Sequence, residues 1–477
     1  MKKIFFAALV GLGMLTSCSG FLDEVDQDKL IPSKTEHYAS VLLKCNHFDY
    51  PYFSGVDIMT DNLVEYKHST EGGRKGFKPK YTWQLEVELN ENGDKIGGND
   101  MWEKAYKNIA IANYIIELIP EAQGEQVEKM FIEGEARFIR ALNYFQLLNI
   151  YGQPFDPSTA ASELGVPLRL DNGVEQVYQR NTVQECYDQI VNDLLDAVSL
   201  IAESGITKSK FHPSVGTCQL LISRCYLYMQ NWEKAAEYAG KAMEHGELVR
   251  IPATAPIVTH ESKEIMYSGQ FSALTLYPEQ YEKGWKVNPQ LISLFDQKND
   301  LRFKRWFSLI RGKIGKVYYC NKGTNEFSQD GRAFTRIVEA YLTRAEAYAH
   351  LNKVSEATAD LVKYMKTRYA HVDASVIPSD AQQLVSFVLN ERRKEFCFED
   401  MHRWFDLRRM DNAPTIQHEF TITDASGAIM GSEVYTLFPD DKNYTMSIPL
   451  SERENNPLIQ NNERYAKMPE INTDVTM

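Results

Sequence analysis

Apolar residues recur about every 3.6 positions through most of this chain, and that periodicity limits the possible folds more than any other feature. Such spacing places apolar side chains along one face of an α-helix, whereas a half-buried strand needs a spacing of two. The chain is therefore predicted to be mainly α, with minor β structure. Helices are predicted at 102–120, 127–151, 182–202, 215–230, 232–245, 334–351, 353–369, 380–399 and 402–410.

Two pairs of these predicted helices resemble each other, which indicates a repeat. In the first pair Tyr226 is followed nine residues later by Ala235, and in the second Tyr348 is followed nine residues later by Ala357. A small residue stands three positions before each tyrosine, where two helices must approach closely. This is the spacing of tetratricopeptide repeats, helical hairpins that bury their apolar faces only by stacking, so at least three hairpins are expected.

Three long segments lack this helical pattern, and they are residues 46–100, 246–333 and 411–477. They are rich in glycine, proline and aromatic residues. Loops of this length in a compact protein are usually functional. We therefore expect a helical scaffold that carries a loop-built binding face at about 46–100 and 246–333.

The N-terminal residues predict export. Two lysines precede an apolar run from Ile4 to Leu15, which is too short to span a membrane. The motif Leu15-Thr16-Ser17-Cys18 resembles the lipobox of bacterial lipoproteins, in which the cysteine is acylated and the chain is cut just before it. Residues 1–17 are thus predicted to be a lipoprotein signal peptide with lipidation at Cys18. An ordinary signal peptide that happens to contain a cysteine is the alternative.

Composition and motifs argue against several functions. The net charge of −13 and the pI of 5.4 disfavour binding to nucleic acid. The ten histidines form no HExxH motif, and no GxSxG, Walker or dinucleotide motif stands in the required context. We therefore predict no catalytic residue, no metal site and no cofactor. The six cysteines other than Cys18 have no disulfide spacing and are predicted to be buried thiols.

A charged signature near the C-terminus carries the most specific resemblance. Residues 391–399 read ERRKEFCFE and residues 403–409 read RWFDLRR, which resembles the signature of the SusD/RagB family. Weaker matches follow the family's order, at 102–113, 136–152, 285–302, 344–347 and 448–461. The charges also have a simple helical explanation, because residues four apart such as Glu399 and Arg403 can pair along one face. The signature is therefore interpreted as structural, with its aromatic residues buried.

The resemblance runs from Cys18 to about Asn461 and makes 18–477 a single SusD-like domain. It implies a surface lipoprotein that binds nutrients, most often glycans, and forms a lid over a SusC-like TonB-dependent transporter of the outer membrane. The acidic residues 21–26 accompany surface export in similar lipoproteins, although a solvated linker has the same composition. The alternatives are the same architecture binding peptides, and a surface glycan hydrolase that uses two carboxylates.

The resemblance also implies a ligand site on loops away from the repeat hairpins. Aromatic rings stack on the apolar face of a sugar, and polar side chains bond its hydroxyl groups. By position, the implied ligand-binding residues are Trp83, Tyr81, Asp61, Asn62, Arg74, Tyr277, Tyr281 and Trp285. Packing inside the protein is the alternative for Trp83 and Trp285. The tryptophans predicted to belong to the core are Trp102, Trp232 and Trp404.

Overall fold

The computed structural model of the chain describes residues 32–47, 56–66, 75–90, 92–95, 101–173, 177–253, 262–269, 285–312, 315–322, 332–399 and 401–473. Its helices are α1 (Thr35–His47), α2 (Lys78–Tyr81), α3 (Met101–Leu118), α4 (Gln126–Tyr151), α5 (Val183–Ser204), α6 (Val215–Tyr228), α7 (Trp232–Ala242), α8 (Pro289–Ser293), α9 (Leu301–Trp306), α10 (Val338–His350), α11 (Val354–Arg368), α12 (Ala381–Phe396), α13 (His402–Arg409) and α14 (Leu450–Asn455). Its strands are β1 (Leu63–Glu65), β2 (Ile265–Gly269), β3 (Trp285–Val287), β4 (Phe307–Gly312), β5 (Gly315–Cys320), β6 (Arg332–Arg336), β7 (Ile416–Thr423), β8 (Ile429–Leu437) and β9 (Glu470–Asn472). The fold is mainly α, as predicted.

The helices expected from periodicity are all present, with ends within four residues of the predicted ones. Capping residues mark the starts of α5, α6, α7 and α12, and α5 shows how. The Thr182 hydroxyl accepts the backbone N–H of Glu185 at 3.2 Å, and the Glu185 carboxylate accepts the backbone N–H of Thr182 at 2.9 Å. This capping box satisfies backbone groups that lack helical partners. The helix stops at Gly205, whose φ of +64° suits glycine.

The predicted repeat is present as the helical hairpins α6–α7 and α10–α11. Their turns match, because Gln230 and Asn352 each have a φ of 57° four residues after the repeat tyrosine. The carbonyls of Tyr226 and Tyr348 each accept the amide five residues later, at 2.9 and 2.8 Å. Helix α10 packs against both α7 and α12, so the hairpins stack as expected for tetratricopeptide-type repeats.

Helix α4 is the central helix of the N-terminal half and packs between α3 and α5. Gly134 allows α5 to approach it closely, since a Cβ there would lie 2.9 Å from Cγ1 of Ile201. The largest apolar cluster joins α1 to the bundle of α3 to α7. Further clusters lie around β1, β3, α8 and α9, and beneath α10 to α12. The hairpins and the bundle thus form the scaffold on which the connecting segments are packed.

Small antiparallel sheets occupy parts of the segments that were predicted to be irregular. Strand β1 pairs with β3, which places Glu65 opposite Trp285 and joins the two segments expected to form the binding face. Strands β7, β8 and β9 form a three-stranded sheet near the C-terminus. Strands of three residues such as β1 and β3 give little periodicity. The sequence analysis did not recognise the longer β7 and β8 either, and it predicted only that some β structure would be present.

Within the described ranges, no helix combines the length and the apolar character needed to cross a membrane. The same part of the chain contains no cluster of three or more His, Cys, Asp or Glu side chains suited to a metal ion. The cysteines that the structure describes, from Cys45 to Cys397, are free and buried, which confirms their predicted state.

Candidate ligand-binding site

Three aromatic residues predicted to contact ligand lie in the interior. Tyr81, Trp83 and Trp285 have no exposed surface. The rings of Tyr81 and Trp83 both stack on His418, with centroids 4.1 and 4.3 Å away and interplanar angles of 11° and 20°. The expectation that these rings are exposed is therefore wrong, because their faces are already taken by partners inside the protein. Trp285 packs against Tyr81 at 4.6 Å, in line with its alternative interpretation as a packed residue.

Trp83 also has an unusual backbone. Its φ of 52° is a left-handed conformation that bulky residues rarely adopt. Its carbonyl accepts from Asn443 Nδ2 at 2.7 Å and from Arg464 Nη2 at 3.3 Å, and its indole N–H donates to the carbonyl of Met59 at 2.9 Å. A strained conformation persists only where surrounding contacts enforce it. The role of Trp83 is therefore to hold the C-terminal segment against the rest of the fold.

The polar residues predicted beside these rings are also engaged within the protein. Asp61 accepts two hydrogen bonds from Arg403, at 2.7 and 2.6 Å, and pairs with Arg393 at 3.2 Å. Burial alone would raise the pKa of Asp61, but the two guanidinium groups outweigh it and lower the pKa to about 2. Asn62 Oδ1 accepts from Arg393 at 3.1 Å. Both residues are buried, so their assignment to a ligand site is corrected to a structural one.

The other predicted site residues, Arg74, Tyr277 and Tyr281, lie outside the described residues. Their contact with ligand stays a prediction.

An aromatic cleft of about 430 Å³ lies elsewhere, between the start of α3, α14 and loop residues in the ranges 167–173 and 177–178. We define the aromatic cleft by Trp102, Tyr106, Arg169, Tyr178 and Glu452, which all line it. Trp102 and Tyr106 contact each other with centroids 4.9 Å apart. The Arg169 guanidinium lies 5.6 Å from the ring centre of Tyr178. Rings and charged groups thus line one concave surface.

The walls of the aromatic cleft are held by buried polar side chains. On α4, the Tyr144 hydroxyl accepts from the amide of Arg169 at 2.7 Å and donates to its carbonyl at 2.6 Å. On α3, the side-chain amide of Asn113 donates to the carbonyls of Arg169 and Asp171 at 3.0 and 3.2 Å. These bonds fix the loop to the bundle, which is how a loop residue such as Tyr178 can have a defined position.

The polar groups of the aromatic cleft have charges and donors suited to hydroxyl-rich ligands. Glu452 accepts the indole N–H of Trp102 at 3.2 Å and the side-chain amide of Asn456 at 3.1 Å. The Tyr178 hydroxyl donates to Asp171 at 2.7 Å, and this bond helps to lower the pKa of Asp171. Carboxylates held in this way remain acceptors. The cleft can therefore stack sugar rings and bond their hydroxyl groups.

Sequence reasoning did not single out the aromatic cleft. Trp102 was predicted to be a core residue, and it is indeed only 6% exposed, but its edge borders the cleft. Tyr178 stands in a loop with no helical pattern, and nothing local in the sequence marks it. The residues that line the cleft come from three distant segments of the sequence. Only the packing of these segments brings the residues together.

The charged signature forms a buried network, which confirms its structural interpretation. Glu395 accepts from Arg336 at 2.9 Å and from Arg368 at 2.9 and 3.0 Å. Burial would raise its pKa, but these arginines hold the pKa of Glu395 well below the usual range. A permanently ionised, fully paired carboxylate is a poor general acid.

One predicted contact in this signature is wrong. Glu399 and Arg403 were expected to pair along a helix, but α12 ends at Phe396 and α13 begins at His402. Glu399 pairs instead with Lys322 at 2.5 Å and with Arg336 at 2.9 Å. The break between the helices, where Phe398 and Met401 adopt positive φ values, removes the spacing that the prediction assumed.

The fold and the cleft are those of a helical-repeat binding protein, and comparison with known proteins identifies the family. A family model described as starch-binding and associating with the outer membrane matches residues 57–227. A second family model, described as the SusD family, matches residues 259–465. The chain belongs to the SusD/RagB family, as its signature predicted. Members of this family are carbohydrate-binding proteins rather than enzymes.

Individual relatives are distant. The SusD-like protein P2 of Formosa agariphila is 22% identical, over 76% of this chain and 80% of that protein. A SusD-like carbohydrate binding protein from Bacteroides vulgatus superposes with a TM-score of 0.67 at 22% identity, over 90% of this chain and 97% of that one. A SusD superfamily protein from Bacteroides thetaiotaomicron gives 0.69 at 20% identity, over 90% and 100%. At such identity the superpositions establish the fold alone.

Proposed function

We propose that this chain is a lipid-anchored protein on the outer surface of the outer membrane, which captures oligosaccharides and passes them to a SusC-like TonB-dependent transporter. The family description, starch-binding and associating with the outer membrane, supports the ligand class and the compartment. The lipobox-like motif that ends at Cys18 supports the anchor. Passage to a transporter rests on the family resemblance.

The observation that carries the proposal is the chemistry of the aromatic cleft. Tyr178 and Tyr106 are partly exposed there, next to the carboxylate of Glu452 and the guanidinium of Arg169. A sugar has apolar C–H faces and a rim of hydroxyl groups, so it needs both ring surface and hydrogen-bonding groups. A stacked ring contributes roughly 1–3 kcal/mol before ordering costs, at about 25 cal/mol per Å² of buried apolar area. Two such rings give the moderate affinity that a protein needs if it must release its ligand.

The first experiment is a glycan array with the mature protein, followed by calorimetric titration of the best ligand. The Tyr178→Ala variant is expected to bind that ligand about tenfold more weakly, because one stacked ring is lost. Tyr465→Ala is the matched control, since Tyr465 is 51% exposed and does not line the cleft. Its affinity should equal that of the unmodified protein. Absence of any glycan ligand, or equal affinities for the two variants, would contradict the proposed site.

A further inference from the structure

A second cavity, of about 530 Å³, lies on the helical hairpins between the start of α7, the end of α10, the outer face of α12 and the residues that follow α13. We call it the arginine pocket, defined by Trp232, His350, Arg393, Arg403 and Arg409, which line it. It shares no lining residue with the aromatic cleft. Arg393, Arg403 and Arg409 belong to the family signature. Ion pairing between these arginines and their carboxylates does not by itself explain why a cavity lies beside them.

Two arginines at the base of the arginine pocket share one carboxylate. Arg403 bonds Asp61 with two N–H groups, and Arg393 pairs with the same carboxylate at 3.2 Å. The neighbouring arginines are balanced, because Arg392 and Arg409 together face two carboxylates, Glu346 and Asp406. Among the residues that the structure describes, the carboxylates that contact these four arginines therefore leave one positive charge at the base without a counter-charge.

The two side chains that share this uncompensated charge, Arg393 and Arg403, are buried and line the cavity. The side chains of Arg393 and Arg403 are only 10% and 5% exposed. Among the described residues, the one contact of Arg403 Nη1 is the sulfur of Met410 at 3.9 Å, which is a weak acceptor. Burial, together with repulsion from Arg403, lowers the pKa of Arg393 to about 10. A guanidinium with unused donors in such a place favours binding of a carboxylate or sulfate.

The other acidic groups near the pocket among the described residues do not neutralise this charge. Asp411 lines the pocket but is exposed to solvent, where a charge interacts weakly with buried groups. Glu346 is held by Arg409 at 2.5 and 3.0 Å. His350 is partly buried, and burial lowers its pKa, so it carries no charge at neutral pH.

The walls of the arginine pocket indicate what kind of molecule carries the anion. Trp232 is partly exposed and stacks on His350 with centroids 3.8 Å apart and an interplanar angle of 4°. Helix α12 also lines the pocket, with Gln382, Ser386 and Asn390, which are spaced four residues apart and end one turn before Arg393. From Gln382 to Arg393 this polar stripe is roughly 16 Å long, at about 1.5 Å of rise per residue. An indole beside carboxamides and a hydroxyl suits a sugar ring with its hydroxyl groups.

We propose that the arginine pocket is a second ligand site, separate from the aromatic cleft, and that it binds an anionic sugar residue, a uronate or a sulfated sugar. The anion bonds the free N–H groups of Arg393 and Arg403, and the sugar ring contacts Trp232. The carboxamides of Gln382 and Asn390 bond the hydroxyl groups of this residue or its neighbours. This site gives the protein a preference for acidic polysaccharides that the aromatic cleft alone does not provide.

The test is calorimetric titration of the full mature protein with an oligogalacturonate, a sulfated oligogalactan and a neutral oligogalactan of equal length. The key variant is Asn390→Asp, which adds a carboxylate one turn from Arg393 with almost no change of shape. It is expected to weaken binding of the acidic ligand by about tenfold, the size of one like-charge interaction at a partly exposed site. Binding of the neutral ligand should be weakened much less, because that ligand has no anion for the new carboxylate to repel. Whichever acidic ligand binds more tightly identifies the anion as carboxylate or sulfate.

The matched control is Gln383→Glu, which makes the same amide-to-acid change on α12 at an exposed position outside the pocket. It should leave the affinity for acidic ligands unchanged. An equal loss in both variants would reflect only the overall charge of the protein and would overturn the proposal. Failure of both acidic ligands to bind, including a result in which only an acidic peptide binds, would overturn it as well. Tyr178→Ala should not alter the effect of Asn390→Asp, so the two proposed sites can fail separately.

Discussion

At the scale of single residues, the burial of Trp83 shows why an aromatic side chain in a loop is hard to assign from sequence. Its loop position suggested an exposed ring, but the ring is stacked on His418, which lies 335 positions further along the chain. His418 is buried, and burial lowers its pKa to about 4, so it is neutral and can be held between two aromatic rings. Whether a side chain is exposed depends on such distant partners, and these partners cannot be identified from the neighbouring sequence.

The burial of Trp83 leads to a prediction about stability rather than binding. Trp83→Ala removes a fully buried indole and should lower the free energy of unfolding by roughly 3–5 kcal/mol, measured by chemical denaturation. The ligand affinity of the folded protein should stay the same. Phe438→Ala is the control, since Phe438 is 58% exposed and should change stability by less than about 0.5 kcal/mol. Weaker ligand binding with unchanged stability would return Trp83 to the ligand site.

At the scale of elements, helix α12 connects parts of the fold through its charged residues. Glu395 contacts Arg336 on β6 and Arg368 at the end of α11, and Glu391 contacts Arg302 on α9 at 2.9 Å. Burial alone would raise the pKa of both carboxylates, but the cations around them lower it. The pKa of Glu391 falls to about 2 beside the Lys394 ammonium and the Arg302 guanidinium, and that of Glu395 falls among the guanidinium groups of Arg368, Arg336 and Arg302. The helix thus fixes the position of a β-strand and a neighbouring helix by ion pairs that no single element could form alone.

We expect Glu395→Ala to destabilise the fold by roughly 3–5 kcal/mol, because it leaves buried guanidinium groups without a counter-charge. The lowered pKa of Glu395 means that this stabilisation is complete above the ordinary value of 4.5 and is lost as the pH falls through the lowered pKa. The difference in unfolding free energy between the two proteins should therefore shrink in strong acid. Glu237→Ala removes an exposed pair with Lys241 and should cost less than about 1 kcal/mol. Similar costs for both variants would refute this assignment.

At the scale of the whole molecule, residues far apart in sequence are drawn into shared surfaces. Asp61 forms an ion pair with Arg403, 342 positions further along the chain. The aromatic cleft is formed by the start of α3, by the loop that contains Tyr178, and by α14. The arginine pocket lies on the hairpins, whereas the aromatic cleft lies against α3 and α14. The two proposed sites therefore use different elements of the same scaffold.

The anchor is the property of the whole molecule that the proposed delivery requires. Cys18→Ala should abolish acylation, so that the protein is lost from the outer-membrane fraction when cells are fractionated and probed by immunoblot. Uptake of the cognate glycan by living cells should fall in parallel, because capture no longer takes place next to the transporter. As the control, Cys45→Ala changes a buried cysteine outside the lipobox and should leave the protein in the membrane. Normal uptake with the Cys18→Ala protein would contradict delivery by an anchored lid.

The sequence by itself determined the helical elements and their repeat, because these depend on interactions between residues a few positions apart. Periodicity located α3 to α7 and α10 to α13, and capping residues such as Thr182 set their ends. The charged signature gave the family, and its residues were correctly interpreted as structural. The free cysteines followed from spacing alone.

Only the tertiary structure decided which side chains face solvent and which groups meet in a cavity. Trp83 and Trp285 are buried, and Glu399 pairs with Arg336 instead of Arg403. The aromatic cleft lies outside the two segments that were predicted to form the binding face. The physical reason is that burial and ion pairing are set by contacts between residues that lie far apart in the sequence, from 63 positions for Arg336 and Glu399 to 335 for Trp83 and His418. The spacing of apolar residues determines which face of a helix is apolar, but it does not determine which other element that face packs against.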